Sequence, residues 1–209
     1  VKASDFLVAE DKEYIAEMTL GVRTDTDDIT GEILKKCDEI PSEEKVFEAI
    51  YSFIGEIEQI PPMYSAIKVG GVKLVDLARE GITIERKSRN VKINSIESEK
   101  ISENVYKMRI SCSKGTYIRS LCNDIGAQLG CGGCMAALRR VTAGEYTIEE
   151  SVSLEELVTA EDPEKYLRPV DSMFRNYPSV TLTENQEKRC RNGNAFSVKL
   201  AEGTYRAYS

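Results

Sequence analysis

Two stretches of this chain hold residues whose types and spacing could do chemistry: Gln59-Ile-Pro-Pro-Met-Tyr-Ser-Ala-Ile-Lys68 and Cys112-Ser-Lys-Gly-Thr-Tyr-Ile-Arg119. Each sets a tyrosine beside cations in apolar surroundings, the combination that holds an unstacked nucleobase together with its phosphates. In the first, Pro61 and Pro62 force a rigid, extended entry to Tyr64, and Lys68 supplies a cation for a phosphate. Stacking a base on such a ring contributes about 1–3 kcal/mol. The same pattern also fits a buried strand whose tyrosine hydroxyl finds a partner. In the second, Gly115 and Thr116 read as a strand-to-helix turn with Thr116 as cap, leaving Tyr117 and Arg119 at the helix start. Free amides there, with Arg119, could grip a carboxylate or phosphate; a capped helix with a surface arginine fits equally well.

Cys131-Gly-Gly-Cys134 supplies half of a zinc site at most, since Cys37, Cys112, Cys122 and Cys190 form no second closely spaced pair. No glycine-rich phosphate loop is present; Gly130-Cys-Gly-Gly133 lacks the lysine that must follow. Histidine is absent altogether, which removes His-based triads and His metal ligands.

The elements that must position these residues follow from periodicity. Residues 13–21 alternate and close on glycine, as a half-buried strand does; 24–31 is turn chemistry; 43–54 has helical spacing behind Ser42. Val69-Gly-Gly-Val72 predicts a two-residue hairpin, followed by a short helix that stops at Gly81. Residues 90–97 and 105–112 predict paired strands, 116–129 a helix, and 154–159 a short amphipathic helix. After Pro163 the composition shifts, and strand, helix, strand is expected at 180–183, 184–191 and 195–198. The fold class is therefore α+β with a mainly antiparallel sheet flanked by helices, divided into a large domain over 1–166 and a small unit over 167–209.

The chain has 209 residues, 41% of them hydrophobic, enough for a sizeable core. Six cysteines without secretory features, and no apolar run that could span a bilayer, read as a cytoplasmic protein without a membrane partner. The net charge of −7 opposes long-range attraction to nucleic acid, yet Lys68, Lys73, Arg86, Lys114, Arg139 and Arg140 could form one local positive face.

Taken together, these stretches resemble the TruB family of tRNA pseudouridine synthases. The matching runs are Lys12-Glu-Tyr14, Leu20-Gly-Val-Arg-Thr-Asp-Thr-Asp-Asp-Ile-Thr-Gly-Glu32, Phe53 through Gly71, Leu77-Ala-Arg-Glu-Gly81, Cys112 through Leu121, Asp124-Ile-Gly126, Leu129-Gly-Cys-Gly132 and Leu138-Arg-Arg140, in order. The resemblance implies isomerisation of the T-loop uridine, the Ψ of TΨC, after base flipping, with the tRNA T-arm as partner and no metal or organic cofactor. It implies that Tyr64 stacks on the flipped uracil, Tyr117 takes the final proton from C5, and Arg119 pairs with the catalytic aspartate. It further implies that Leu138 walls the uracil pocket and that Lys68 and Arg140 lie near the RNA. The residues after Asp171 resemble the start of an RNA-binding unit of the PUA type.

One departure stands out. The family's nucleophilic Asp belongs to a Gly-x-Leu-Asp-Pro-x-Ala-x-Gly segment, and this sequence has no Leu-Asp-Pro; none of the aspartates over 24–28 matches it. With Val1 first and Tyr205-Arg-Ala-Tyr-Ser209 ending in a strand-like alternation, the expectation is a piece of a longer synthase without its nucleophile and without the end of its PUA-like unit. Such a piece should be inactive. A non-catalytic tRNA-binding module is the rival reading, and a zinc-dependent interaction domain a third.

Overall fold

The computed structural model describes residues 11–209. By internal packing the chain divides after Ser151, so the second unit begins at Val152 rather than after Tyr166. The short helix over 154–159 and the turn of 3-10 helix at Pro163–Tyr166 pack together, which draws this stretch into the later unit.

The larger unit is built on one antiparallel sheet. Its strands are β1 (Lys12–Leu20), β4 (Gly55–Gln59), β7 (Arg89–Lys100), β8 (Val105–Cys112), β9 (Gly133–Ala143) and β10 (Tyr146–Thr147), in the spatial order β10-β9-β1-β8-β7-β4. Alternation explains why they form one sheet with one wet face. Ala16, Met18 and Leu20 on β1, and Tyr106, Met108, Ile110 and Cys112 on β8, are buried; between them stand Glu17, Lys107 and Arg109. On the wet face, Glu13 pairs with Arg109, and Glu99 with Lys107 at 3.0 Å, across adjacent strands.

The dry face is covered by α1 (Glu43–Ser52) and α3 (Ile118–Gln128). Val46, Ala49 and Ile50 of α1, and Ile118, Leu121, Cys122 and Ile125 of α3, join the sheet residues in one core. Their i, i+3, i+4 spacing makes the apolar stripe each helix buries. The contact of α3 with β9 is backbone against backbone: a Cβ on Gly126 would lie 2.1 Å from the Gly133 nitrogen. Only glycine permits that approach.

Two ribbons project from the sheet. β2 (Val22–Thr24) and β3 (Ile33–Lys36) flank the turn over 24–31; β5 (Lys68–Val69) and β6 (Val72–Lys73) form the hairpin expected from Gly70-Gly71, both with positive φ (60° and 89°). The hairpin runs into α2 (Leu74–Arg79).

The second unit holds α4 (Leu154–Thr159), whose Ser153 and Glu156 form a capping box, and α5 (Glu184–Arg191). The expected strand over 195–198 is not formed. Its Ser197 carbonyl instead accepts from the Gln186 side chain of α5, and β11 (Ser179–Thr181) pairs in parallel with β12 (Arg206–Tyr208).

Candidate active site

The site is assembled around the first turn of α3. Tyr117, not Thr116, is the N-cap residue, with φ −101° and ψ 107°. The Thr116 hydroxyl turns back to donate to the Ser113 carbonyl at 2.9 Å, so it closes the turn instead of capping the helix. Ile118 and Leu121 face the core, which leaves Arg119 on the opposite side of the helix, aimed at two loops.

Arg119 joins those loops. Its Nη1 lies 3.4 Å from Asp28 Oδ2, and its Nη2 donates to the main-chain carbonyl of Tyr64. The two charged side chains are 23% and 19% exposed. Asp28 is oriented from its other oxygen, where Oδ1 accepts from the Thr30 amide at 3.0 Å and the Thr30 hydroxyl at 2.5 Å. Burial works against ionisation of Asp28, but the bonds from Thr30 and Thr26 and the charge of Arg119 outweigh it and hold its carboxyl below the usual range. The turn carrying Asp28 is docked on β9 by main-chain bonds, Ile29 amide to Met135 carbonyl and Met135 amide to Asp27 carbonyl, both 2.9 Å.

Beside this pair sits a second carboxylate. Asp27, in the left-handed region at φ 62°, accepts from Ser120 Oγ at 3.2 Å. Burial raises its pKa against the opposing effects of Ser120, Arg119, Arg23 and Arg86. Asp124, one turn along α3 from Ser120, is pushed up to about 6, by burial first and by the charge of Asp27 second.

Tyr117 is fixed through its backbone. Its amide donates to Gln59 Oε1 at 2.8 Å, and its carbonyl accepts from Gln59 Nε2 at 3.1 Å. Tyr64, Tyr117 and Arg119, up to 55 residues apart in sequence, are thus tied to one end of α3. Tyr64 takes part through its carbonyl, and the residue is half-buried.

Leu138 and Arg140 share one sheet face. Leu138 is paired with Ala16 and Arg140 with Tyr14, and paired residues point the same way, toward the helix-bearing side. Leu138 is 44% exposed, an apolar side chain open to a ligand. Arg139 is paired with Ile15 and so faces the other, charged side, which splits the single positive face expected from the sequence. Arg86 is tied to the loop before Tyr64, where its Nη1 donates to the Pro61 carbonyl at 3.0 Å, and its charge acts on Asp27. Lys68 is exposed on the β5–β6 hairpin, where it opposes Lys73.

Sequence reasoning passed over three residues. Asp28 read as turn chemistry, and Gln59 was given no role beyond opening the stretch that runs to Lys68. Tyr14 is the third: it stands on the dry face of β1, its hydroxyl bonded by Arg140, with burial the main reason for its raised pKa. Its place in the run Lys12-Glu-Tyr14 was the one available signal.

For metal binding, the cysteines offer little. Among the described residues no three of His, Cys, Asp or Glu gather in a metal-holding group, and burial raises the thiols of Cys131 and Cys134. No helix of the described residues is long and apolar enough to cross a membrane.

Comparisons with known proteins give the family and the fold. Residues 1–118 match the model of the TruB family pseudouridylate synthase N-terminal domain, and residues 119–175 that of the tRNA pseudouridylate synthase B C-terminal domain. The tRNA pseudouridine synthase B of Alkaliphilus oremlandii is 45% identical over 193 residues, covering 92% of this chain and 64% of the relative. That of Clostridium acetobutylicum is 46% identical over 214 residues, covering all of this chain and 74% of the relative. The chain therefore spans about two thirds to three quarters of the length of these relatives. A solved Cbf5-Nop10-Gar1 complex contains a chain that superimposes with a TM-score of 0.67 at 27% identity, covering 92% of this chain and 51% of that one. A dry-faced antiparallel sheet carrying Arg119 and Tyr117 at the start of α3, matched over its whole length by these models and relatives, belongs to the TruB family of pseudouridine synthases.

Proposed function

We propose that this chain is the greater part of a tRNA pseudouridine synthase acting on the T-loop uridine that becomes the Ψ of TΨC, and that the nucleophilic aspartate lies outside the chain. The observation that carries the reading is the convergence on one helix start of Arg119, Tyr117 and the Tyr64 loop. A guanidinium held in a partly dry site keeps a carboxylate ionised, and a neighbouring tyrosine that has passed its hydroxyl proton to water can take a proton as the phenolate. Leu138 and Arg140 offer an apolar wall and a phosphate contact on the same face.

Asp28 occupies Arg119 here, but it is ill suited to attack a ribose. One of its oxygens accepts two bonds from Thr30 and the other faces the guanidinium, so neither is free to form a covalent bond. The chain alone is accordingly proposed to be inactive: Arg119 and Tyr117 tune a nucleophile but do not replace one. The test is tritium release from a T-arm RNA carrying 5-tritiated uridine, with the purified chain. No release above background is expected; turnover would overturn the proposal.

Tyr64 is carried as the stacking ring, with Tyr14 as its rival because Tyr14 shares a sheet face with Leu138 and Arg140. Tyr64→Leu and Tyr14→Leu decide between them, since the ring that stacks should cost RNA binding about 1–3 kcal/mol on removal. With tRNA as the substrate, the location proposed is the cytoplasm. Binding of T-arm RNA without turnover, in a protein whose coding region offers no Leu-Asp-Pro segment, would instead favour the non-catalytic module.

A further inference from the structure

We infer that Gln59 is a positioning residue for Tyr117, its side-chain amide standing in for a neighbouring strand. The inference deepens the reading above and rests on it for the claim that Tyr117 meets RNA. Gln59 ends β4, at the margin of the sheet, and is only 2% exposed. A buried glutamine is uncommon unless its polar atoms are matched, and here both groups of the amide are. Oε1 accepts from the Tyr117 amide at 2.8 Å, and Nε2 donates to the Tyr117 carbonyl at 3.1 Å. Only one of the two orientations of the amide satisfies both bonds, so the arrangement is directional.

The residue served is one that local structure leaves loose. Tyr117 sits between the end of β8 and the start of α3, in extended geometry, and no side-chain cap of its own holds the turn. Its amide has no partner within the helix, because helical bonding does not use the N-cap N–H. Gln59 supplies that partner from 58 residues away. Fixing the peptide groups of Tyr117 on both sides of its Cα limits where the phenol can point. The same clamp joins the strand leading to Pro61-Pro62-Met63-Tyr64 to the helix start, so Tyr64 and Tyr117 are set in one frame.

The experiment uses the 209-residue chain, with the exchange rate of the Tyr117 amide proton as readout and no RNA present. Gln59→Met keeps the volume and removes both bonds; Tyr117 exchange should accelerate about tenfold or more, while the core amides of β1 and β8 stay protected. Gln59→Glu supplies the discriminating arm. A protonated glutamic acid can donate and accept as the amide does, whereas the carboxylate repels the Tyr117 carbonyl, and burial raises its pKa. Protection in Gln59→Glu should therefore match the parent chain at about pH 5 and be lost at about pH 8, after correction for intrinsic exchange. A residue that merely fills space would show no such dependence. With T-arm RNA, Gln59→Met should weaken binding about tenfold at an unchanged salt slope, since no phosphate contact is lost. Unaltered Tyr117 exchange in folded Gln59→Met, or exchange in Gln59→Glu that follows intrinsic chemistry alone, overturns the inference. Should Gln59→Met not fold, the pH comparison in Gln59→Glu decides by itself. Failure of the parent chain to bind T-arm RNA would count against the proposed function, while the RNA-free exchange data would still judge the clamp.

Discussion

Breaking the pair between Asp28 and Arg119 should cost measurable stability, and the size of the loss can be worked from the geometry. Two unit charges about 4 Å apart attract by about 4 kcal/mol at an effective dielectric of about 20. With 23% and 19% of the side chains exposed, desolvation cancels a good part of this. Arg119 also keeps a second acceptor, the Tyr64 carbonyl, when Asp28 is lost. The net coupling expected is about 1–2 kcal/mol, above the median for surface pairs and below that for a fully buried one. Asp28→Asn is the right partner for the cycle, because its side-chain oxygen can still accept from Thr30 while the charge and the acceptor toward Arg119 are removed together. Urea unfolding of Asp28→Asn, Arg119→Met and the double variant, at unchanged m value, gives the coupling directly. The pH dependence has a definite sign. The folded pKa of Asp28 is depressed, so its contribution is present above the unfolded value near 3.9 and is lost as pH falls through the folded value. A coupling within about 0.3 kcal/mol of zero would refute the view that this pair fixes the turn against α3.

Three further outcomes are expected. Asp27 and Asp124 have raised pKa values, so they give the opposite sign: their stabilisation is present at low pH and is lost as pH rises, for Asp124 from about 4 toward 6. Asp124→Asn should remove that slope from a melting series over this range, by about 1 kcal/mol after allowance for solvent screening. Gly126→Ala should destabilise by about 3 kcal/mol or prevent folding, because the added methyl meets the Gly133 main chain, and thermal unfolding measures it. Arg140→Ala should flatten the salt dependence of T-arm RNA binding by about one unit, while Arg139→Ala leaves it unchanged, because the two side chains face opposite sides of β9. An equal effect of both variants would contradict the strand register.

How much of this was legible beforehand differs from element to element. β1, β8 and α3 were readable because a half-buried strand or helix writes its period into consecutive residues, as Ala16, Met18 and Leu20 do. The Gly70-Gly71 hairpin was readable because both positions need positive φ. The strand over 195–198 was misplaced because its residues have the right local composition, yet β12 won the pairing with β11. Thr116 was misplaced as the cap because its type suits the role, while the turn offered its hydroxyl the nearer Ser113 carbonyl.

By itself the sequence determined the strongly periodic elements such as β1, β8 and α3, the absence of histidine from the chain, and the order of motifs that marks the family, since each is carried by neighbouring residues or by residue type. It also marked Tyr117 and Arg119 as worth attention. Only the tertiary structure decided what those residues touch. The partner of Arg119 lies 91 positions away in Asp28, and the clamp on Tyr117 lies 58 positions away in Gln59. No periodicity reports either contact, because each exists only once the turn over 24–31 docks on β9 and β4 reaches the margin of the sheet. The split between Arg139 and Arg140 has the same origin. Adjacent in sequence and equal in charge, they are sent to opposite faces by the pleat of one strand.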